Sequence, residues 1–439
     1  MKKFLIIISS MILFHACDNK NNSSITELEF KMNNIAEDYV KLVLKVGTYK
    51  NDYVDAYCGP EELKPKITNE VIDSIIVNSL NAKVDDLLDK MDALENYQAT
   101  ELEKMRFRCL YKQLLSVKSM IFIVSGGSFP FDLEAKRLYD ADVPHYDKEH
   151  FRQILNELDK LVPGNGRLSI RINEFFEQFY IPKEKLDTVF SAAIDECRRR
   201  SLQNVNLPDN ENFIVEYVTR KPWGAYNWYK GNSYSVIQVN TDLPVKIDRA
   251  IDLAAHEGYP GHHVFNTLLE NKFVKEYGWI EFTVYPLHSP LSLIAEGTAN
   301  YGIDVIFPGN ERIKFEREVL FPLAALNPDN VELYYRILEL MKDLNYAGNE
   351  AARNYIDGNW TKDEAIEFME EYQLFSREKA EKRLAFIEQY RSYVINYNLG
   401  EDMVRDYVER NGGIPEYPGR RWEVFKELLL HPQTPSGLK

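Results

Sequence analysis

The 439-residue sequence is poor in the residues that define small, fibrous or disordered proteins. It contains only four cysteines, and none of them lies in a C-x-x-C pair. The 21 glycines and 19 prolines exclude collagen-like and low-complexity proteins. An aromatic content of 13% supplies enough surface to bury, which excludes an intrinsically disordered chain. The length allows one large domain or a few smaller ones.

Positive charge is also in short supply. The chain has 53 lysines and arginines against 68 aspartates and glutamates, which gives a net charge of −15. An acidic chain repels a phosphate backbone, so we predict that nucleic acid is not a partner. The cysteines after Cys17, namely Cys58, Cys109 and Cys197, are odd in number and widely spaced, which indicates buried thiols and no disulfide framework. We expect a monomer.

The first residues have the pattern of an export signal. Two lysines precede an apolar run over 4–14, and the small residue Ala16 precedes Cys17, so we predict a signal peptide over 1–16. The run is shorter than the roughly 20 apolar residues that a membrane span needs. A cysteine directly after the small residue resembles the bacterial lipoprotein box. This predicts a lipidated Cys17 followed by a flexible tether, over 17–27.

The predicted location follows from this segment. A lipidated protein would be anchored to a bacterial membrane, at its periplasmic face or at the cell surface, and the lipid would be its only membrane contact. An ordinary signal peptide, with an exported but unanchored product, is the alternative.

The hydropathy pattern divides the rest of the chain into two regions. Over 28–205, apolar residues recur three or four positions apart, which predicts a helical lobe. In the second region, 206–439, the short runs 213–218 and 234–239 are β-branched and aromatic, and they predict strands. The aromatic segment between them, 222–229, is predicted as a loop. The sequence thus predicts a mainly α, multi-helix fold with a small β hairpin or sheet in mid-chain, and the two regions are expected to form one integrated domain.

Three of the eight histidines lie within eight positions. Residues 256–263 read His-Glu-Gly-Tyr-Pro-Gly-His-His, after a segment with helical spacing over 246–255. A histidine followed directly by glutamate, with more histidines a turn or two later, is typical of zinc hydrolases. In that design, two neutral imidazoles bind the metal and a carboxylate outside the ligand set accepts a proton from water. The pattern predicts His256 as a ligand and Glu257 as a general base.

Pro260 makes the spacing of this motif unusual. It stands four residues after His256, where ordinary motifs carry the second histidine. Proline lacks the N–H that would bond to the carbonyl of residue 256, so the helix must bulge or break, and Gly261 permits the dihedral angles required. Two bulged residues restore the usual spacing for His262. We predict His262 as the second ligand and keep His263 as an alternative ligand or a substrate contact.

The third ligand is predicted on a downstream helix. Glu296 lies in the segment 295–301, which is rich in small residues that allow helices to pack closely. Its carboxylate is a natural third donor beside two imidazoles. Asn300, four residues later on the same helical face, could orient a ligand imidazole.

Together these motifs resemble a known bacterial family. The octapeptide 256–263, followed by Glu296-Gly297-x-Ala299-x-Tyr301, is similar to the family known as domain of unknown function 885. Its members look like distant relatives of the gluzincin zinc metallopeptidases. The similarity covers the C-terminal part of the chain, from the octapeptide onward, and the preceding helices match only in general character.

The resemblance implies a two-lobed zinc-peptidase-like fold, with Glu257 as general base. The zinc ligands that it implies are His256, His262 and Glu296. Tyr397 could then donate the hydrogen bond that stabilises the tetrahedral oxyanion. Strand 234–239 resembles the edge strand with which gluzincins pair peptide substrates. A purely structural strand is the alternative.

These observations predict an exported zinc metallopeptidase with one Zn²⁺ per chain and a peptide or small amide as substrate. Two alternatives belong to other classes. One is a zinc hydrolase that cleaves non-peptide amides or esters. The other is a helical surface-binding lipoprotein whose metal site is vestigial or structural.

Overall fold

The computed structural model describes residues 27–66, 70–221, 223–242 and 244–439. The predicted signal peptide, Cys17 and the tether up to residue 26 lie outside the described residues. Across the described ranges the chain is mainly helical with small sheets, which confirms the predicted fold class. None of the helices in these ranges is both long and apolar enough to cross a membrane.

Helices dominate the first region. The α-helices there are α1 (Glu27–Gly47), α2 (Ser74–Asp92), α3 (Glu101–Val124), α4 (Phe131–Tyr139), α5 (Lys148–Leu161), α6 (Leu168–Phe176) and α7 (Leu186–Ser201). Buried residues of α1 recur three or four positions apart, as at Met32, Ile35 and Ala36, so one face of the helix enters the core. Thr100 fixes the start of α3, because its hydroxyl accepts from the Glu103 N–H and the Glu103 carboxylate accepts from the Thr100 N–H.

Two small sheets lie among the helices. Their strands are β1 (Val54–Tyr57), β2 (Asn212–Val218), β3 (Ala225–Tyr229), β4 (Tyr234–Asn240) and β5 (Val284–Pro286). β1 and β5 pair antiparallel, and this pair joins the N-terminal region to the segment that precedes the Glu296 helix. In the other sheet β4 lies in the centre, parallel to β2 and antiparallel to β3.

The three-stranded sheet corrects two predictions. The segment 222–229 is predicted as a loop, but its residues 225–229 form β3, in which Trp228 pairs with Val236 of β4. Aromatic and β-branched partners stabilise such pairs. Of the two readings left open for the segment 234–239, the substrate-pairing edge strand is wrong and the purely structural strand holds, because β4 has a strand on each side and its backbone is already paired. The free edges of this sheet belong to β2 and β3.

The second region is again helical after the sheet. Its α-helices are α8 (Asp248–Leu253), α9 (His262–Leu268), α10 (Pro290–Ile306), α11 (Glu311–Phe315), α12 (Phe321–Ala324), α13 (Val331–Asp343), α14 (Asn345–Ile356), α15 (Lys362–Tyr372), α16 (Arg377–Tyr390), α17 (Leu399–Arg410) and α18 (Pro418–Leu430). Ser289 caps α10, with Pro290 at its first position, and α10 is buried along most of its length.

One hydrophobic core runs through both regions. Tyr39 of α1 and Phe425 of α18 belong to the same contiguous cluster of buried side chains. α10 contacts α3 and α4 of the first region and α17 and α18 of the second. Helices of both regions therefore pack against the helix that carries Glu296.

Candidate metal site

His256 lies where the helix that begins with α8 loses its regular form. After Leu253 the helix widens into a π-helical turn, Ala254–Gly258, and the Tyr259 N–H donates to the Ala254 carbonyl, five residues earlier, at 3.0 Å. Such turns are rare and occur often at functional sites. The helix then ends at the point where Pro260 predicts a bulge or break.

Gly261 allows the chain to fold back on itself after this break. A Cβ built on Gly261 would lie well inside contact distance of the carbonyl oxygen of His256. Only a residue without a side chain fits there, so the sequence needs glycine at this position. α9 then begins directly with His262, whose Nε2 lies 3.1 Å from Nε2 of His256.

Glu296 completes a compact group of three side chains that could each bind a metal ion. Its Oε2 lies 3.4 Å from His256 Nε2, and its Oε1 lies 3.6 Å from His262 Nε2. In the described part of the chain, Glu296 Oε2 has no hydrogen-bond donor even though it is buried. The side chains of His256 and His262 are 14% and 15% exposed, so solvent still reaches the two rings.

Two neighbouring side chains hold His256 and Glu296 in place. Asn300 lies one turn after Glu296, and its Oδ1 is 2.8 Å from His256 Nδ1. Its Nδ2 donates to the Tyr397 carbonyl at 2.7 Å, which fixes the amide in that orientation. The hydroxyl of the buried Tyr393 donates to Glu296 Oε1 at 2.9 Å. The contact with Asn300 leaves His256 Nε2 free, and the contact with Tyr393 leaves Glu296 Oε2 free. Both atoms point into the same small space.

Glu257 provides a second carboxylate beside the rings. Its side chain is buried, and one carboxylate oxygen lies within 4.8 Å of a ring nitrogen of both His256 and His262. Asn227 of β3 donates to the Glu257 carbonyl at 2.6 Å, which ties the widened turn to the sheet. Burial raises the pKa of Glu257 to about 7, and the charge of Glu296 acts in the same direction.

The donor groups differ in charge when no metal is bound. Burial opposes the charged form of His256, but the close contact with the Glu296 carboxylate and the charge of Glu257 outweigh it and raise the His256 pKa to about 9. Burial lowers the pKa of His262 to about 4. Burial would raise the pKa of Glu296, yet the charges of His262 and His256 hold it below its usual value. The site is therefore a place where a positive charge is stabilised.

Asp55 also faces this site, and no sequence signal identifies it. It lies in β1 at the β-bulge between Val54 and Ala56, where the register with β5 shifts. Bulges are frequent next to active sites, where they redirect a side chain. Burial, with the charges of Glu296 and Glu257, raises the pKa of Asp55 to about 7. The acidic groups around the two histidines thus include one from the N-terminal region.

The structure places His263 away from this group. Its ring is fully buried, with Nδ1 2.9 Å from the Ser235 hydroxyl and Nε2 3.1 Å from Glu211 Oε2. Glu211 also accepts from the Tyr259 hydroxyl at 2.7 Å and pairs with Arg198. Both ring nitrogens of His263 are therefore engaged in a network that anchors the start of α9 to β4.

Tyr397 lies at the rim of the site. Its side chain is 36% exposed, and its ring centroid is 5.7 Å from that of Tyr393. Burial and the charge of Glu296 raise its pKa, so the hydroxyl keeps its proton at neutral pH and can donate a hydrogen bond. Tyr393, which the sequence argument did not single out, is the tyrosine that contacts Glu296 directly.

Comparisons with known proteins add the following. No family model matches the chain, and no curated protein gives a significant match. A crystal structure of a "putative lipoprotein" from Colwellia psychrerythraea is similar, with a TM-score of 0.50, 14% identity, and coverage of 83% of this chain and 68% of that one. A "putative lipoprotein of unknown function" from Shewanella oneidensis aligns with a TM-score of 0.42, 14% identity, and coverage of 81% and 73%. The likeness to the Colwellia structure is one of fold alone.

Proposed function

We propose that the protein is an exported, zinc-dependent hydrolase that cleaves peptide bonds. The observation that carries this proposal is the convergence of His256, His262 and Glu296 from two separate segments, with the carboxylate of Glu257 beside the two rings. Two imidazoles, one carboxylate ligand and a neighbouring free carboxylate are the parts that zinc peptidases use.

The donor set fits zinc in number and spacing. Zinc bonds of about 2.0–2.2 Å in a tetrahedral arrangement place ligand atoms about 3.3–3.6 Å apart. The two Nε2 atoms are 3.1 Å apart, Glu296 Oε2 lies 3.4 Å from that of His256, and Glu296 Oε1 lies 3.6 Å from that of His262, so each contact is close to this spacing. The buried Glu296 Oε2, which has no hydrogen-bond donor among the described residues, would find its partner in the ion. His256, His262 and Glu296 would hold one Zn²⁺ per chain and leave its remaining position to water or substrate.

In this proposal Glu257 moves the protons of the reaction. A bound zinc ion would make water acidic enough to lose a proton near neutral pH and would polarise the carbonyl of the substrate. Glu257, a buried carboxylate beside both rings, accepts the proton from the attacking water as its oxygen bonds to the carbonyl carbon. It then gives a proton to the leaving nitrogen as the C–N bond breaks, so the amine departs neutral.

Tyr397 is the proposed donor to the developing oxyanion. Its hydroxyl keeps its proton at neutral pH, and the side chain is partly exposed, so a substrate can reach it. Preorganised donors of this kind stabilise the negative charge that forms on the carbonyl oxygen. Tyr393 and Asn300 do not contact the substrate in this proposal. Tyr393 positions Glu296, and Asn300 positions His256.

Export and lipid anchoring belong to the same proposal. The support is the signal-like segment 1–16 with Cys17 in the sequence, together with the word lipoprotein in the description of a structure that shares the fold. Labelling of the expressed protein with radioactive palmitate, compared with a Cys17→Ser variant, tests the anchor. Loss of the label in the variant is expected.

Two measurements test the enzymatic proposal. Elemental analysis of the purified protein is expected to give about one zinc per chain. A peptide library, a panel of esters and a panel of non-peptide amides are then incubated with the wild-type protein and with Glu257→Gln. We expect the wild type to cleave peptides, and the variant to keep its zinc and lose turnover. A variant that retains activity would reject the general-base role, and cleavage of esters or other amides alone would indicate the non-peptidase hydrolase.

A second candidate is a surface-binding lipoprotein with a structural or vestigial metal site. It is favoured by the Colwellia structure, which shares the fold and is described only as a putative lipoprotein. A structural zinc site has four protein ligands and excludes water, whereas a catalytic site keeps an open position. X-ray absorption spectroscopy of the zinc-loaded protein separates the two, because only the catalytic arrangement includes a water oxygen.

A further inference from the structure

Four cationic side chains face one another near the candidate metal site. Lys379 and Arg383 lie one turn apart on α16, Lys246 lies just before α8, and Arg249 lies in its first turn. Lys246, Arg383 and Arg249 all act on Lys379, and together with burial they lower its pKa to about 8. These four residues are called the basic cluster below.

Three members of the basic cluster have no counter-ion. Within the described part of the chain, no carboxylate pairs with Lys246, Lys379 or Arg383, although Arg249 pairs with Asp252 at 3.0 Å. The three contact aromatic faces instead. Lys379 lies 3.9 Å from the ring centroid of Phe375, Lys246 lies 4.3 Å from that of Phe176, and Arg383 lies 5.2 Å from that of Phe386.

The other two cations of α16 do have counter-ions, so the lack of ion pairs at Lys379 and Arg383 is not a property of the whole helix. Arg377 pairs with Asp363 at 2.6 Å, and Lys382 pairs with Glu378 at 2.8 Å. In a chain with a net charge of −15, carboxylates are plentiful, yet none is supplied to Lys379 or Arg383. The positive charges of Lys379 and Arg383 are therefore available to an anion from outside the chain.

The basic cluster borders the groups proposed to act on the substrate. Arg383 and Tyr397 both contact Phe386, and the centroids of the Phe386 and Tyr397 rings are 6.4 Å apart.

We propose that the basic cluster binds a carboxylate of the substrate, so that the preferred substrates are peptides with a carboxylate on the α16 side of the scissile bond. This inference rests on the proposed peptidase function. Arg383 can bind a carboxylate through two parallel hydrogen bonds, and Lys379 and Lys246 add charge without a fixed geometry. The carboxylate can come from a free C-terminus or from an acidic side chain.

Equilibrium binding tests the proposal without turnover. Tri-alanine, tri-alanine amide and Ala-Ala-Glu amide are titrated into the zinc-loaded Glu257→Gln variant by calorimetry. We expect at least a tenfold lower Kd for a peptide with a carboxylate than for tri-alanine amide. Preference for tri-alanine identifies the C-terminus as the source, and preference for Ala-Ala-Glu amide identifies the side chain. Equal affinity for all three peptides, or no binding of any at millimolar concentration, overturns the proposal.

Variants of α16 locate the binding residues. Arg383→Gln and Lys379→Gln, each combined with Glu257→Gln, are expected to raise the Kd of the preferred peptide about tenfold and to leave that of tri-alanine amide unchanged. Arg377→Gln and Lys382→Gln are matched controls on the same helix, and both are expected to bind as before. Equal weakening of all peptides by Arg383→Gln would contradict the assignment.

The outcome is separable from that of the proposed function. Absence of zinc, or absence of peptide cleavage by the wild-type protein, would count against the hydrolase. A zinc-loaded protein that cleaves peptides but binds tri-alanine and its amide equally would leave the hydrolase intact and remove only the carboxylate subsite.

Discussion

The backbone of Gly297 touches the backbone of Gly400. A Cβ built on Gly297 would lie well inside contact distance of the Gly400 carbonyl oxygen, and one built on Gly400 would lie 2.8 Å from the Leu293 carbonyl oxygen. α10 and α17 therefore pack too closely at this point to leave room for a side chain. This contact brings the segment before α17, which carries Tyr393, to the side of Glu296.

A side chain at this contact should therefore force the helices apart. We expect Gly297→Ala to lower the free energy of unfolding by about 1–3 kcal/mol through overpacking, and to weaken zinc binding because Tyr393 moves away from Glu296. Chemical denaturation and a chelator competition assay measure the two effects. Gly419→Ala is the control, since a Cβ on this glycine of α18 meets open space. An unchanged midpoint for Gly297→Ala would contradict the packing argument.

The two adjacent histidines should respond to substitution in opposite ways. His262→Ala removes a proposed ligand at a partly exposed position, so zinc should be lost with little change in the stability of the metal-free protein. His263→Ala removes a fully buried ring, takes the imidazole partner from the Ser235 hydroxyl and leaves Glu211 with only Tyr259 and Arg198, so stability should fall by about 1–3 kcal/mol while the protein still binds one zinc. Elemental analysis and denaturation of both variants check this. Loss of zinc in His263→Ala alone would exchange the two assignments.

Asn300 should affect zinc affinity without being a ligand. Asn300→Ala removes the acceptor that orients His256, and the loss of such a partner typically weakens metal affinity about 10–100-fold. Asn300→Asp keeps an acceptor oxygen near His256 Nδ1 and is expected to restore most of the affinity. Competition with a fluorescent chelator measures both variants. An affinity for Asn300→Ala equal to that of the wild type would show that the ring of His256 is held by other contacts.

Zinc binding should release protons at neutral pH. His256, with a pKa of about 9, carries a proton at pH 7 that the metal must displace, whereas His262, with a pKa of about 4, is already neutral. Apparent zinc affinity should therefore rise about tenfold per pH unit between pH 7 and 9, and level off above the pKa of His256. Calorimetry in buffers of different ionisation enthalpy counts the protons, and a value of zero at pH 7 would contradict the assignment.

Asp55 should have opposite effects on the metal-free and metal-bound protein. Its folded pKa of about 7 is higher than its unfolded value of about 3.9, so ionisation of Asp55 opposes folding as pH rises through this range. Asp55→Asn is expected to stabilise the metal-free protein at pH 8 by roughly 1–2 kcal/mol and to have no effect at pH 3. The same variant should bind zinc more weakly, because it loses a nearby negative charge.

Thermal unfolding at the two pH values, with and without zinc, measures both effects. Asp86→Asn is the control, since this exposed carboxylate of α2 pairs only with Lys90 at the surface. A lower Tm for metal-free Asp55→Asn at pH 8 would mean that the carboxylate is stabilised by its surroundings, contrary to the argument.

The sequence predicted those parts of the fold that depend on local pattern. The strands at 212–218 and 234–240 follow from runs of β-branched and aromatic residues, and the break after Gly258 follows from Pro260. β3 was missed because its aromatic residues, 225–229, lie next to turn-forming residues and pair only once β4 is present. Local pattern also cannot show that β4 has neighbours on both sides.

In the candidate site, too, local pattern predicted some residues and could not predict those that long-range packing brings in. The proline that forbids a regular helix pointed to His262, and helical spacing pointed to Asn300 four residues after Glu296. Asp55 and Tyr393 lie far from the motif in sequence and reach it only through the β1–β5 pair and the close contact of α10 with α17. Contacts between segments so far apart in the chain cannot be predicted from the local spacing of the residues involved.

The site draws on both ends of the chain, with Asp55 supplied by β1 and the Tyr393 hydroxyl by the segment before α17. A ribosome makes the first of these long before the second. A nascent chain thus contains both histidines while the tyrosine that supports Glu296 does not yet exist. Any capacity for hydrolysis would arise only after the segment with Tyr393 has been made and has docked beside α10.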